Sequence, residues 1–235
     1  MFSSTLNRLA DRFGSDKGSQ HGDRHRYAQL YDVLFHDRRE SLEKMVELGL
    51  ARGGPEALQG GVIERRCDSP SIAMWAEYFP AARIIGFDIS DFSHLEARHQ
   101  RFSFIRGDCG SAADLRRLAG HVGNDVDLIV DDASHASFHQ QLALRELFPA
   151  LRRGGLYIIE DLHWQPDHIE VNLPPAPKTI DWLSALRDGT GHLTSIWSRQ
   201  HIETLASQVA SLSILRDLQV PGGRYCNALA LLRKI

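Results

Sequence analysis

The sequence predicts an α/β fold: a doubly wound, mostly parallel sheet with helices on both faces and an antiparallel hairpin at one edge. Three observations predict it. From residue 44 onward, short apolar runs alternate with stretches whose apolar residues recur at helical spacing, the pattern of strands joined by crossover helices. Near the C-terminus two β-like runs flank a Pro-Gly-Gly turn, as in a hairpin. A chain of 235 residues buries one full core of this kind and does not call for a second.

The elements follow in order. Residues 1–40 precede the first strand and read as a mostly helical cap, leaving 41–235 as the main domain. KMVELGL (44–50) is the first strand; PSIAMWAEYF (70–79) is a helix ended by Pro80. ARIIGFDIS (82–90) and RFSFIRGD (101–108) are the second and third strands. SAADLRRLAGHV (111–122) is helical with Ser111 as its N-cap. VDLIVDD (126–132), SFHQQLALRELFPAL (137–151) and GGLYIIED (154–161) give strand, helix, strand. After the Pro-rich LPPAPK (173–178) come one or two helices between about 179 and 210, then the runs LSILRDLQV and YCNALALLRK.

Composition narrows the partners. A net charge of -3 offers no basic footprint for nucleic acid and no polybasic patch for a membrane surface. No run approaches the ~20 apolar residues of a membrane span, and MFSSTLNRLADRFGSDKG has no apolar signal-peptide core. Cys67, Cys109 and Cys226 show neither paired nor metal-type spacing, which suits a reducing compartment. The expectation is a cytoplasmic homo-oligomer.

In an open parallel sheet, ligands sit beyond the carboxyl ends of the strands. Here all five strands end in acid: Glu47 before Gly49, then Asp88, Asp108, the pair Asp131 and Asp132, and the pair Glu160 and Asp161. Any one alone reads as a polar strand end or a helix cap. Gathered on one edge they repel, unless a cation or a hydroxyl-rich ligand compensates them. A carboxylate at the end of the second strand can accept both ribose hydroxyls, so Asp88 in GFDIS suits a nucleoside, with Asp108 placed to meet the adenine. A dinucleotide site wants GxGxxG and an acid about 20 residues on. This chain has LGLARGG, and Asp88 comes far later than that. Without a tight phosphate turn, a cofactor lacking phosphates is preferred, and S-adenosylmethionine is the obvious one.

The remaining acids suggest a metal. Asp132, Glu160 and Asp161 offer three oxygen ligands from neighbouring strand ends, a hard set that favours Mg²⁺ or Mn²⁺ over zinc. His135 follows Asp132 at the mouth of the next helix; alone it is a surface histidine, but beside three acids it is a candidate general base.

At this point the residues resemble a known family. IVDDASH, with LFPALRRGGLYIIEDL after it, is similar to the metal-dependent sugar O-methyltransferases of antibiotic biosynthesis and to bacterial enzymes that methylate rhamnosyl or mannosyl units. GSDKGSQHGDRHRYAQLYDVLF (14–35), SIAMWAEYFPAARIIGFDIS (71–90) and RGDCGS (106–111) agree with that family as well, Asp16, Lys17, His25, Tyr27 and Tyr31 standing in its N-terminal segment. The resemblance implies a Rossmann-like methyltransferase sheet, S-adenosylmethionine as donor, magnesium, and a sugar hydroxyl as acceptor. It places Asp132, Glu160 and Asp161 as metal ligands, and His135 as the base beside Asp132. The implied cofactor set is Glu47, Gly49, Ser71, Asp88, Ser90, Asp108, Cys109 and Asp131. One stretch departs from the pattern: ARGGPEALQGGVIERRCDSPS (51–71) is a polar insert where the family carries glycines, with Ser69 and Ser71 as substitutes for those contacts.

Other features have two readings. His163, Trp164 and His168 either line an acceptor pocket or form a solvated loop. Tyr27 and Tyr31, with Phe35, read chiefly as a packing face, with closure over the site together with His25 as the second reading. His121, His139, His192 and His201 read as surface, and Trp75, Tyr78 and Phe79 as core. Competing functions are a catechol-type methyltransferase, a hydroxylase relative, which would want a second histidine, and a non-catalytic cofactor-binding partner.

Overall fold

The computed structural model describes residues 4–51, 68–219 and 226–235. Residues 52–67 of the polar insert and the Pro-Gly-Gly turn fall outside the described residues. Two helices come first, α1 (Thr5–Phe13) and α2 (Tyr27–Phe35), then β1 (Lys44–Leu48) and α3 (Pro70–Tyr78). β2 (Arg83–Asp88), β3 (Phe102–Arg106), α4 (Ala112–Val122), β4 (Val126–Asp131), α5 (Ser137–Leu147) and β5 (Leu151–Ile159) continue the alternation. A short α6 (Asp167–Glu170), α7 (Thr179–Arg187) and α8 (Arg199–Gln208) lead to β6 (Val209–Gln219) and β7 (Cys226–Lys234). The strands form one seven-stranded sheet in the order β3-β2-β1-β4-β5-β7-β6. β1 to β5 are parallel, and the hairpin β6–β7 adds antiparallel against β5. This is the expected fold.

Residues alternate sides along each strand, and both sides are buried. Met45, Ile84, Leu128, Val130, Leu156 and Ile158 pack with Leu6, Tyr31 and Trp75 of α1 to α3. Val46, Ile85, Phe87, Ile129, Tyr157 and Ile159 pack with Leu115 and Leu118 of α4, Leu144 of α5, Trp182 of α7 and Leu205 of α8. Trp75, Tyr78 and Phe79 are core residues, as expected. Ser111 caps α4 by accepting the Asp114 N–H at 3.2 Å. No helix among the described residues is long and apolar enough to cross a membrane.

Two boundaries differ from the expectation for local reasons. α5 stops at Leu147 and tightens into a 3₁₀ turn over Phe148–Ala150, because Pro149 supplies no N–H for another α-turn. β5 starts at Leu151, before the Gly-Gly pair, because its register against β4 shifts by a bulge between Val126 and Leu128, with Gly154 at φ 76°.

Candidate active site

The order of strands reverses between β1 and β4, and there their C-terminal ends touch. Gly49 sits at φ 80°, and a Cβ on it would meet the Asp132 carbonyl oxygen at 2.3 Å and Ala133 Cα at 2.4 Å. Only glycine lets the two turns approach this closely. Asp132 N donates to Leu48 O at 2.9 Å, so the ladder carries on to the first site acid.

On the β1–β3 side every acid is met by nearby donors. Glu47 is fully buried; its Oε2 accepts Ser71 Oγ at 2.8 Å and its Oε1 accepts Trp75 Nε1 at 3.1 Å, both from α3. Burial pushes the Glu47 carboxyl up to about 7, against the pull of Lys17 and of these donors. Asp88 accepts the Leu50 N–H on Oδ2 and the Ser90 N–H on Oδ1, each at 2.8 Å. Asp108 Oδ1 accepts the Gly110 N–H at 2.7 Å. Asp131 is buried beneath the row, with Tyr157 Oη at 3.3 Å from Oδ2, and burial raises it to about 7. Burial pushes the Cys109 thiol up as well, with Asp131, Asp108 and Asp88 adding to the shift.

The β4–β5 side is built differently. Asp132, His135 and Asp161 each present one potential ligand atom, all within 4.8 Å of one another. His135 Nε2 lies 4.0 Å from Asp132 Oδ1 and 3.8 Å from Asp161 Oδ2, while its Nδ1 is buried without a hydrogen-bond partner. Glu160 is turned inward and 1% exposed; its Oε1 accepts Tyr31 Oη and its Oε2 accepts Lys17 Nζ, at 2.7 and 2.8 Å. The Lys17 ammonium also donates to Asp132 Oδ2 and stands 3.9 Å from Glu47 Oε1. Tyr27 Oη donates to Asp161 Oδ1 at 2.7 Å, with His25 Nδ1 3.6 Å from the same oxygen. Burial alone would raise Asp161, but His25, His135 and the Tyr27 hydroxyl outweigh it and hold this carboxyl below its usual range. Glu160 is pushed up, first by burial and then by Asp132.

The backbone pays for this arrangement. Among the described residues, the non-glycine positions at positive φ are Arg24, Arg26, His135 and Asp161, at 54° to 59°. Two carry candidate ligand atoms and two flank His25. Such conformations cost on the order of 1 kcal/mol each and persist where surrounding contacts enforce them. At Asp161 the enforcing contacts are the Trp164 N–H on its carbonyl at 3.0 Å and the Leu162 N–H on Ala228 O at 2.9 Å.

The sequence located the acids and His135 but missed much of what surrounds them. Tyr27 and Tyr31 combine both readings: their rings are buried and their hydroxyls cap the acids. Lys17 had no expected role beyond its place in the segment, and Asn227 had none. From β7, Asn227 takes His25 between its two amide atoms, Oδ1 3.1 Å from His25 Nδ1 and Nδ2 donating to His25 O at 2.9 Å. No local signal marks these contacts, because their partners lie 115 to 202 residues apart. Trp164 stands at the mouth, 46% exposed, its ring centroid 5.5 Å from that of His135. His163 faces β7 instead, accepting the Ala228 N–H at 3.3 Å. His139, expected on the surface, is half-buried against Ser134 Oγ at 2.7 Å.

The fit to a metal is good: carboxylate oxygens of Asp132 and Asp161 lie within 4.8 Å of each other, and the Asp132 side chain keeps 22% exposure for entry.

No protein-family model matches the chain. It is 39% identical over 157 residues to the 8-demethyl-8-(2-methoxy-alpha-L-rhamnosyl)-tetracenomycin-C 3'-O-methyltransferase of Streptomyces olivaceus, 67% of this chain and 36% of that protein. It is 34% identical over 157 residues to the mycinamicin VI 2''-O-methyltransferase of Micromonospora griseorubida, with the same shares. A solved structure of MycE, a methyltransferase from the mycinamycin biosynthetic pathway in complex with Mg and SAH, superposes with a TM-score of 0.68 at 26% identity, covering 97% of this chain and 54% of that one. The chain thus spans little more than a third of the length of these two curated relatives. It is a homologue of the sugar O-methyltransferases and has their fold.

Proposed function

We propose that the chain is an S-adenosylmethionine-dependent O-methyltransferase that methylates a hydroxyl of a sugar, on a glycosylated natural product or a saccharide, with a divalent cation seated at the ends of β4 and β5. One observation carries the reading: Asp132, His135 and Asp161 converge at the switch point of a sheet whose homologues are sugar O-methyltransferases. The wider expectations belong to the same proposal: Glu160 as a further metal ligand, Mg²⁺ or Mn²⁺ as the ion, residues 1–40 as a cap, and a cytoplasmic homo-oligomer.

The roles divide by side. Ser71, Asp88, Ser90, Asp108 and Cys109 line the cofactor edge, where Asp88 is oriented by backbone donors toward the ribose diol. Glu47, Gly49 and Asp131 hold the strand ends that shape this edge. When bound, S-adenosylmethionine supplies a sulfonium methyl and with it the driving force for displacement by oxygen. When bound, the cation supplies the Lewis acidity that brings an alcohol proton within reach of an imidazole near neutral pH. His135 then takes that proton at Nε2, the nitrogen that faces the two carboxylates. Asp132 and Asp161 would hold the cation, and Tyr27 fixes Asp161 in place by donating to its Oδ1. Orientation of this kind supplies several kcal/mol, up to ~7–11 in ideal cases.

The test is calorimetry with S-adenosylhomocysteine, with and without magnesium, alongside mass-spectrometric detection of an added methyl group on rhamnosylated acceptors. Binding of S-adenosylhomocysteine together with metal-dependent product supports the reading. Product formed at full rate in excess chelator refutes the metal's role.

A further inference from the structure

Lys17 is the least expected member of the site. It is 1% exposed, yet it carries an ammonium into a cluster of four carboxylates. Its place is set by short-range backbone: Gly14 ends α1 in the left-handed region, Gly18 N donates to Ser15 O at 3.1 Å, and Ala28 N donates to Lys17 O at 2.9 Å. Gly18 allows the close fold, since a Cβ there would meet Asp11 Oδ1 at 2.4 Å. From that fixed root the side chain reaches the ends of three strands, β1 through Glu47, β4 through Asp132 and β5 through Glu160. Among the described residues no other lysine or arginine pairs with any of those three acids. A buried carboxylate without compensation is costly, and the tyrosine hydroxyls supply hydrogen bonds but no charge.

We infer that Lys17 is a positioning residue that acts as a resident counter-cation: it holds Asp132 and Glu160 together before metal arrives, and remains beside the ion afterward. The inference rests on the proposed metal site. Its first consequence is that the chain folds without metal, because one positive charge is built in. Its second is that replacing Lys17 by a neutral side chain of similar length transfers the compensation to the metal. Lys17→Met then becomes a protein whose stability depends on a divalent cation.

The experiment is thermal unfolding of the full chain in EDTA and in excess Mn²⁺, for wild type, Lys17→Met, Glu160→Gln and the double variant, with Mn²⁺ binding followed by electron paramagnetic resonance. In EDTA, Lys17→Met is expected to melt roughly 5–15 °C below wild type and to regain most of that loss with Mn²⁺. The double variant, which removes one acid along with the ammonium, is expected to melt above Lys17→Met in EDTA. If Lys17→Met is insoluble, a soluble double variant supports the inference and an insoluble one overturns it. An equal loss in EDTA and in Mn²⁺ with no recovery in the double variant reduces Lys17 to a packing side chain. Absence of Mn²⁺ binding by wild type removes the metal site itself, and the comparison of single with double variant in EDTA still decides whether Lys17 compensates the acids.

Discussion

The two halves of the strand-end row are equally acidic but treat their carboxylates in opposite ways. On the β1–β3 half, Asp88 and Asp108 are held by backbone N–H groups of the turns that follow them, and Glu47 by the helix that follows β1. The hydrogen-bond donors are neutral and come from the loops and helix that follow these strands, with the Lys17 ammonium as a charged neighbour 3.9 Å from Glu47 Oε1. On the β4–β5 half, Asp132, Glu160 and Asp161 are held by Lys17, Tyr31, Tyr27 and His25, all from the N-terminal segment. The donors are distant and partly charged. Local neutral donors fix carboxylates in one shape; remote charged ones offset carboxylate charge, as the proposed metal seat would need. The difference matches a division of labour between an organic cofactor and a metal.

The strongest way to break this division is Asp132→Ala. Turnover should fall on the order of 10³-fold or more, while calorimetry still registers S-adenosylhomocysteine; loss of both together would erase the distinction. His135→Ala should lower kcat by roughly 10²–10⁴-fold and leave Mn²⁺ bound in a resonance titration. Full activity in that variant would end its role as base. Asp88→Ala sharpens the other half: affinity for S-adenosylhomocysteine should drop by about 10–100-fold, the worth of hydrogen bonds to a charged group, with Mn²⁺ affinity unchanged.

The smallest effect tests how the cap that carries the remote donors is anchored. Asp32 on α2 accepts Tyr78 Oη at 2.7 Å and the Thr5 N–H at 2.8 Å. Burial works to raise this carboxyl, but the bonds to Tyr78, Ser4 and Thr5 together hold it below its ordinary value. A depressed carboxyl stabilises the fold above its unfolded pKa and loses that contribution as pH falls through the folded one. Wild type should therefore lose melting temperature more steeply below pH 4 than Asp32→Asn does, and parallel curves for the two would discount the anchor.

Much of this was legible in the residues, for reasons that differ by region. The sheet was readable because both its faces are buried, so apolar runs bounded by turns mark the strands without ambiguity. The acids were readable because a parallel sheet collects its strand ends on one edge. Lys17 and Asn227 were not, since a contact across more than a hundred residues leaves no periodicity in either segment. The early start of β5 escaped because a bulge breaks the period-2 pattern through which strands are recognised. The left-handed backbone at His135 and Asp161 was equally hidden, neither being a residue type that announces such a conformation.

The grip of Asn227 on His25 has a consequence for how the protein comes into being. β7 fastens a loop that precedes α2, across 202 positions of chain. A nascent chain halted after β5 would already carry its acids and Lys17, but would lack the β7 amide that brackets His25. The contact is therefore complete only once β7 has been made and paired with β5.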